Sequence, residues 1–209
     1  MARVTTTVCR LCRRCGDKLM LKGGRCMGPK CAMDRRNKTP GQTSGGRRRR
    51  VSDRAVQLRE KQKARYTYGM MERQFHRFFE TAEKQNGVTA DNLVLLLERR
   101  LDNVVYRLGF ADSRSQARQL VLHGHIWLNG HKTNIASTLV KEGDTVNPSP
   151  RALKTEYFKT LAEIIKSKAV PNWIALDREK LTGKLISLPI VGDIETKFEG
   201  KTIVEFYSR

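Results

Sequence analysis

Five cysteines stand within the first 31 residues of this 209-residue chain, and their spacing is that of metal ligands. Cys9-x2-Cys12, thirteen intervening residues and Cys26-x4-Cys31 give two pairs of thiols, each short enough to close on one ion. Tetrahedral zinc suits four soft ligands, and an apparent binding free energy of roughly 10–16 kcal/mol would organise a segment that has no other core. Cys15 leaves the ligand set open, because Cys12-Arg13-Arg14-Cys15 is an equally good knuckle on spacing alone. Cys9, Cys12 and Cys15 also begin a C-x2-C-x2-C run, the start of an iron–sulfur pattern. That pattern needs a fourth cysteine at position 19, which is Leu19.

The charge around these thiols is strongly positive. The chain carries a formal +20, and residues 1–50 hold fifteen Lys and Arg against Asp17 and Asp34 only, so +13 lies in that quarter. Such a balance fits a polyanionic partner, bound with a steep dependence on salt. No apolar run long enough to span a bilayer and no amphipathic helix with exposed aromatics is present, so no membrane partner is expected. Met1-Ala2-Arg3 does not open an apolar signal stretch. A cytoplasmic, reducing location is expected, and there thiols serve as metal ligands rather than disulfides.

These groups need elements to position them. Residues 37–50, from Asn37 through Gly45-Gly46 to Arg47, Arg48, Arg49 and Arg50, read as an extended basic linker. A helix capped by Ser52 or Asp53 follows. It carries Arg54, Lys61 and Arg65 with little apolar face, so it is expected to lie on a partner. Met71, Phe75, Phe78, Phe79 and Ala82 recur at helical spacing, an aromatic stripe that reads as core packing. Leu101, Val104, Val105 and Leu108 then mark one buried face of a short helix, with Gly109 where a left-handed cap is wanted. Ser113 and Gln116 stand at capping-box spacing before a second helix that buries Ala117, Leu120 and Val121. On that helix Arg114 and Arg118 are expected to face outward. Ile126–Leu128, Asn129-Gly130 and His131–Ile135 form a hairpin on a type I′ turn. Two short helices and a hairpin bearing arginine outside and leucine and valine inside make a module for holding folded RNA. Arg107, Arg114, Arg118, His123 and Lys132 are expected on one basic surface, and Trp127 is read as a filled core site rather than a stacking surface. Downstream, Tyr157 to Ile165 is an amphipathic helix, and Leu185–Ile194 and Thr202–Phe206 read as strands.

The run Leu97-Glu98-Arg99-Arg100-Leu101-Asp102-Asn103-Val104-Val105-Tyr106-Arg107-Leu108-Gly109-Phe110, followed by Ser115 to Val121 and His123-Gly124-His125-Ile126, closely resembles the S-four family of bacterial small-subunit ribosomal proteins. The resemblance spans nearly the whole chain. It takes in the four-cysteine N-terminus, Tyr68-Gly69, Val170-Pro171 before Trp173-Ile174, and Ile203 to Arg209.

The resemblance implies an α+β protein. A zinc-organised basic segment spans 1–45 and a helical body with basic linker spans 46–98. A small α/β RNA-binding module is inserted at 99–150, and a C-terminal helix and strands at 151–209 pack back on the body. In the zinc-bearing branch of that family the ligand positions match Cys9, Cys12, Cys26 and Cys31, with Cys15 spare. RNA contacts are expected from Arg35, Arg36, Arg47, Arg48, Arg49, Arg50, Arg54, Lys61, Arg65, Arg107, Arg114, Gln116, Arg118, His123 and Lys132. The implied role is primary binding of small-subunit ribosomal RNA, nucleating assembly and affecting decoding accuracy. The implied neighbours are small-subunit protein number five and messenger RNA, and some members repress their own messenger. No enzyme and no small-molecule substrate is expected. Arg100-Leu101-Asp102 is similar to a pseudouridine-synthase motif, but Asp102 lies inside a helix and reads as a surface or interhelical salt-bridge residue. His123-Gly124-His125 is only superficially similar to a tyrosyl-tRNA synthetase motif. The competing reading is a stand-alone zinc-dependent nucleic-acid-binding regulator, which would need a defined recognition helix.

Overall fold

A computed structural model describes residues 6–36, 38–41 and 51–208. The chain forms two compact units, Met1–Val94 with Thr196–Arg209, and Leu95–Glu195.

The first unit begins with α1 (Val8–Cys15), α2 (Gly24–Met27) and α3 (Ala32–Arg35), short pieces that carry Cys9, Cys12, Cys15 and Cys26, with Cys31 at the N-cap of α3. The long α4 (Asp53–Thr67) and α5 (Glu72–Glu83) follow, and the boundary between units falls within α6 (Thr89–Glu98). Of the expected stripe of α5, Phe75, Phe79 and Ala82 are buried in the core and Phe78 partly so, whereas Met71, at the N-cap, is exposed. The N-terminal segment has a small core of its own. Cys12, Cys15 and Leu19 pack with Leu21, Met33 and Tyr66 of α4.

In the second unit α7 (Leu101–Arg107) and α8 (Arg114–Leu122) precede β1 (Ile126–Leu128), β2 (His131–Lys132) and β3 (Thr145–Pro148). Leu101, Val104, Val105 and Leu108 are fully buried, each such side chain worth about 1.5–3 kcal/mol when taken out of water. Gly109 closes α7 at φ +80°, a conformation open to glycine at little cost. The first N–H groups of α7 find backbone acceptors instead of a side-chain cap: Leu101 donates to the carbonyl of Thr138 and Asp102 to that of Ala136. Ser113 accepts from the Gln116 N–H, but Gln116 Oε1 accepts from Asp112 N–H, so the capping box closes one residue early. Asn129 (φ 52°) and Gly130 (φ 77°) both take the left-handed conformation of the expected type I′ turn.

After α9 (Pro150–Leu153) and α10 (Glu156–Ile164), β4 (Ile174–Asp177) and β5 (Thr182–Leu185) complete an antiparallel sheet in the order β2-β1-β3-β5-β4. Strand β5 pairs with β3 through Thr145↔Lys184 and Val146↔Gly183. The segment 151–209 is therefore split rather than packed as one piece on the body. Residues up to 195 extend the module's sheet and share its core through Phe158, Trp173 and Leu185. The rest returns to the first unit as α11 (Gly200–Tyr207). Thr202–Phe206, expected as a strand, is helical, and the expected Leu185–Ile194 strand is replaced by β5, which ends at Leu185. The helix buries Ile203 and presents Phe206 and Tyr207 to α4 and α5.

A polar junction ties these helices together. Lys61 of α4, only 5% exposed, donates to Glu72 Oε1 at 2.6 Å and lies 4.6 Å from the Phe206 ring centre. Tyr207 donates its hydroxyl to the same carboxylate at 2.8 Å, and Arg65 stands 3.6 Å from its other oxygen. Partial burial opposes ionisation of Glu72. The hydrogen bonds from Lys61 and Tyr207, and the charges of Lys61 and Arg65, outweigh it and hold the carboxyl below the ordinary carboxylate range. A lowered folded value means that Glu72 stabilises the fold above its unfolded value, about 4.3, and loses that contribution as the pH falls through the folded value. Acid unfolding followed by circular dichroism should therefore show a wild-type advantage over Glu72→Gln at neutral pH that vanishes below pH 4. A pH-independent difference would contradict this.

Candidate nucleic-acid interface

Four arginines of the second unit are held by two buried carboxylates. Glu98, fully buried at the end of α6, accepts from Arg107 Nε and Nη2 at 2.8 and 2.9 Å and from Asn103 Nδ2 at 2.8 Å. Arg114 Nη2 is 3.8 Å from the same carboxylate, while its Nε donates to Asn103 Oδ1 at 2.7 Å and its guanidinium lies over the Tyr106 ring. Asp102 takes a two-pronged contact from fully buried Arg100, at 3.1 and 2.8 Å, and a third from Arg118 Nη1 at 3.1 Å. Asp102 is thus the interhelical salt-bridge residue, joining α7 to α8.

This arrangement revises the expected basic face. Arg118 is buried, pointing to Asp102 rather than outward, and Arg107 and Arg114 are partly buried and share Glu98. Gln116 is engaged with Asp112 N–H and the Tyr157 hydroxyl. His123 and Lys132 are exposed. In the first unit Lys61 is buried on Glu72, and Arg65 bonds Gln62 Oε1 at 2.7 Å and lies over Tyr66, so neither is free for a partner in the way expected. Arg54 is exposed near the start of α4. Arg47, Arg48, Arg49 and Arg50 lie outside the described residues. Trp127, expected in the core, is only partly buried.

Six cations with no carboxylate partner among the described residues gather near the N-terminus. Arg10, Arg13, Arg25, Lys30, Arg35 and Arg36 line one open concavity of about 340 Å³, together with Thr7, Cys9 and Ala32. None of the six has a carboxylate within ion-pair distance among the described residues. Arg35 and Arg36 were expected here; the other four were not singled out. Their signal lies in the cysteine framework. Arg10, Arg13 and Arg25 are each next in sequence to a cysteine, so whatever gathers the thiols gathers these arginines.

The thiols do gather. Cys9, Cys12, Cys26 and Cys31 all line one narrow cavity of about 10 Å³, room for a single small ion or water. The Lys22 N–H donates to Cys26 Sγ at 3.3 Å, the kind of outer-shell contact that orients a thiolate. Burial pushes the Cys12 thiol up, the Leu19 backbone bond opposes this, and the neighbouring Cys26, Cys9 and Cys31 raise it further; a cation among the four would reverse that repulsion. Cys15 does not line the cavity, and burial pushes its thiol up to about 11. The four thiols are of the donor type that zinc takes, but among the described residues no group of three or more His, Cys, Asp or Glu side chains is placed to hold a metal ion, and Cys15 lies in the small core.

Fold and charge together define a class: a basic two-unit protein whose small helix-pair-and-sheet module and cysteine-framed cationic segment suit a polyanion. Comparison with known proteins narrows it. Residues 3–98 match the family described as "Ribosomal protein S4/S9 N-terminal domain", and residues 99–146 match the "S4 domain". The small ribosomal subunit protein uS4 of Dehalococcoides mccartyi (strain CBDB1) is 57% identical over 209 residues, all of both chains. Proteins of the same description from Syntrophomonas wolfei (49%) and, as uS4A, from Alkaliphilus oremlandii (52%) are likewise matched over their whole length. The chain belongs to the ribosomal protein S4 family.

Removing one partner of a buried ion pair leaves a charge without compensation. Asp102→Asn, which strands Arg100 and Arg118 inside the second unit, should cost about 3–5 kcal/mol in denaturant unfolding. A loss below 1 kcal/mol would show that the two guanidiniums do not depend on it.

Proposed function

We propose that this protein is a structural constituent of the small ribosomal subunit, binding the subunit's RNA early and helping to nucleate assembly of its body. The role is architectural, with no reaction catalysed and no small-molecule substrate, and it is exercised in the cytoplasm on the ribosome. The observation that carries the reading, beside family membership, is the N-terminal concavity of six cations without carboxylate partners among the described residues. Each phosphate seated there would release condensed counterions, and folded RNA offers its backbone shape rather than base edges to such a surface. Neighbouring small-subunit proteins, number five among them, and messenger RNA near its channel into the subunit are the further partners this reading includes, with an effect on decoding accuracy.

The same reading includes one structural zinc ion held by Cys9, Cys12, Cys26 and Cys31. Bound there, it would supply a four-way crosslink in place of a large core. The chain's own residues do the rest: Lys22 N–H orients Cys26, and Cys15 packs beside Leu19 and Tyr66. An iron–sulfur cluster is the alternative occupant.

Two measurements test this. The zinc-loaded protein should bind fragments of the five-prime domain of small-subunit ribosomal RNA selectively at two salt concentrations, surviving competition from unrelated structured RNA. Equal and fully salt-sensitive binding to every RNA would reduce it to a generic polycation. Chelation should loosen residues 1–41 and lower RNA affinity, and unchanged affinity and proteolytic protection of that segment would remove the metal from the account.

A further inference from the structure

The outer face of the five-stranded sheet carries a partly exposed aromatic side chain that is not part of the buried core. Along β1, Ile126 is fully buried and Leu128 packs against the core, so Trp127 between them points to the opposite face. It is partly exposed, and its indole has neither a ring partner nor a hydrogen bond among the described residues. Directly across from it stand Lys132 on β2 and Asn147 on β3. Lys132 is exposed, and its aliphatic stem crosses Gly124, where a Cβ would come within 2.6 Å of its Cε. One rung along on the same face, Thr145 pairs with exposed Lys184 of β5. Two strand spacings, roughly 10 Å, separate β1 from β5, so Lys132 and Lys184 stand on the face of Trp127, one on each side of its strand. Asp177, the carboxylate on the far strand, is turned to its own loop, where its Oδ1 accepts from the N–H groups of Glu179 and Lys180.

A partly exposed indole that shares its sheet face with two lysines and an amide presents a π-face to a flat aromatic group attached to negative charge. We propose that Trp127 is a stacking platform for an unpaired RNA base, with Lys132 and Lys184 meeting the phosphates on either side. Every base offers a π-face, so this contact favours single-stranded over duplex RNA without reading sequence. It rests on the RNA-binding reading above, but it lies in the other unit and uses none of the cations assigned there.

The test uses the full-length protein with single-stranded oligoadenylate and, as control, a duplex RNA of the same length. Binding is followed by anisotropy of labelled RNA and by tryptophan emission. Trp173, 3% exposed, is the shielded internal reference. Oligoadenylate should quench Trp127 emission, and Trp127→Phe should abolish the quench while retaining most of the affinity. Trp127→Ala should weaken oligoadenylate binding roughly 5- to 150-fold and leave duplex binding unchanged. Oligoadenylate binding with unaltered emission, and with equal affinity in Trp127→Ala, would overturn the platform while leaving the RNA reading intact. Failure of the wild type to bind either RNA would overturn both.

Discussion

Glu98 and Asp102 stand one helical turn apart in sequence, both buried, and between them accept ion pairs from Arg100, Arg107, Arg114 and Arg118. The second unit is organised around this exchange. It joins the end of α6 to α7 and α7 to α8, while the loop carrying Ala136 and Thr138 supplies the carbonyls for the first turn of α7. Charges taken out of water are tolerated when they meet an opposite charge, as these do, and the Asp102 pair ties α7 to α8. The consequence for function is that arginine in this module is first a structural group. The positive charge offered to a partner is what remains after the carboxylates have taken their share.

The N-terminal segment has few acidic residues, Asp17 and Asp34 being the acids of residues 1–50. Cysteine spacing and arginine placement are interleaved there, so one framework positions both. The four thiols line a cavity of about 10 Å³ together with Lys18, Lys22 and Arg25, and six cations line a wider concavity that shares Cys9 with it. A change in the thiol framework would therefore reposition the cationic surface as well as the local fold.

Local periodicity was legible wherever one face of an element meets a core. The buried stripe of α7, the aromatic stripe of α5, the left-handed Gly109 and the Asn129-Gly130 turn all follow from short-range spacing. Arg118 was misread for a physical reason. It flanks the buried Ala117 and Val121 on α8, a position that faces solvent only if nothing polar is buried nearby, and Asp102, the acid that draws it inward, lies sixteen residues earlier. Thr202–Phe206 shows the reverse problem. Its β-branched and aromatic residues suit a strand, yet they form the helix whose rings cover Lys61 and Glu72, contacts more than 130 residues distant in sequence. The pairing of β5 with β3, which carries residues up to 195 into the module, is equally non-local and has no short-range signature. The family resemblance points to polyanion binding and offers Cys9, Cys12, Cys26 and Cys31 as candidate ligands, but does not say which arginines are already occupied.

The central claim is that phosphate is met by the N-terminal cations while Arg118 serves the fold. It is tested most directly by the slope of log affinity for small-subunit ribosomal RNA against log salt, measured for wild type, for Arg10→Gln with Arg25→Gln, and for Arg118→Met under conditions where each is folded. The account predicts that the N-terminal pair lowers the slope by about 1.4–1.8, on roughly 0.7–0.9 per phosphate contact, and that Arg118→Met leaves it unchanged while reducing stability. A slope that falls with Arg118→Met and holds for the N-terminal pair would contradict it.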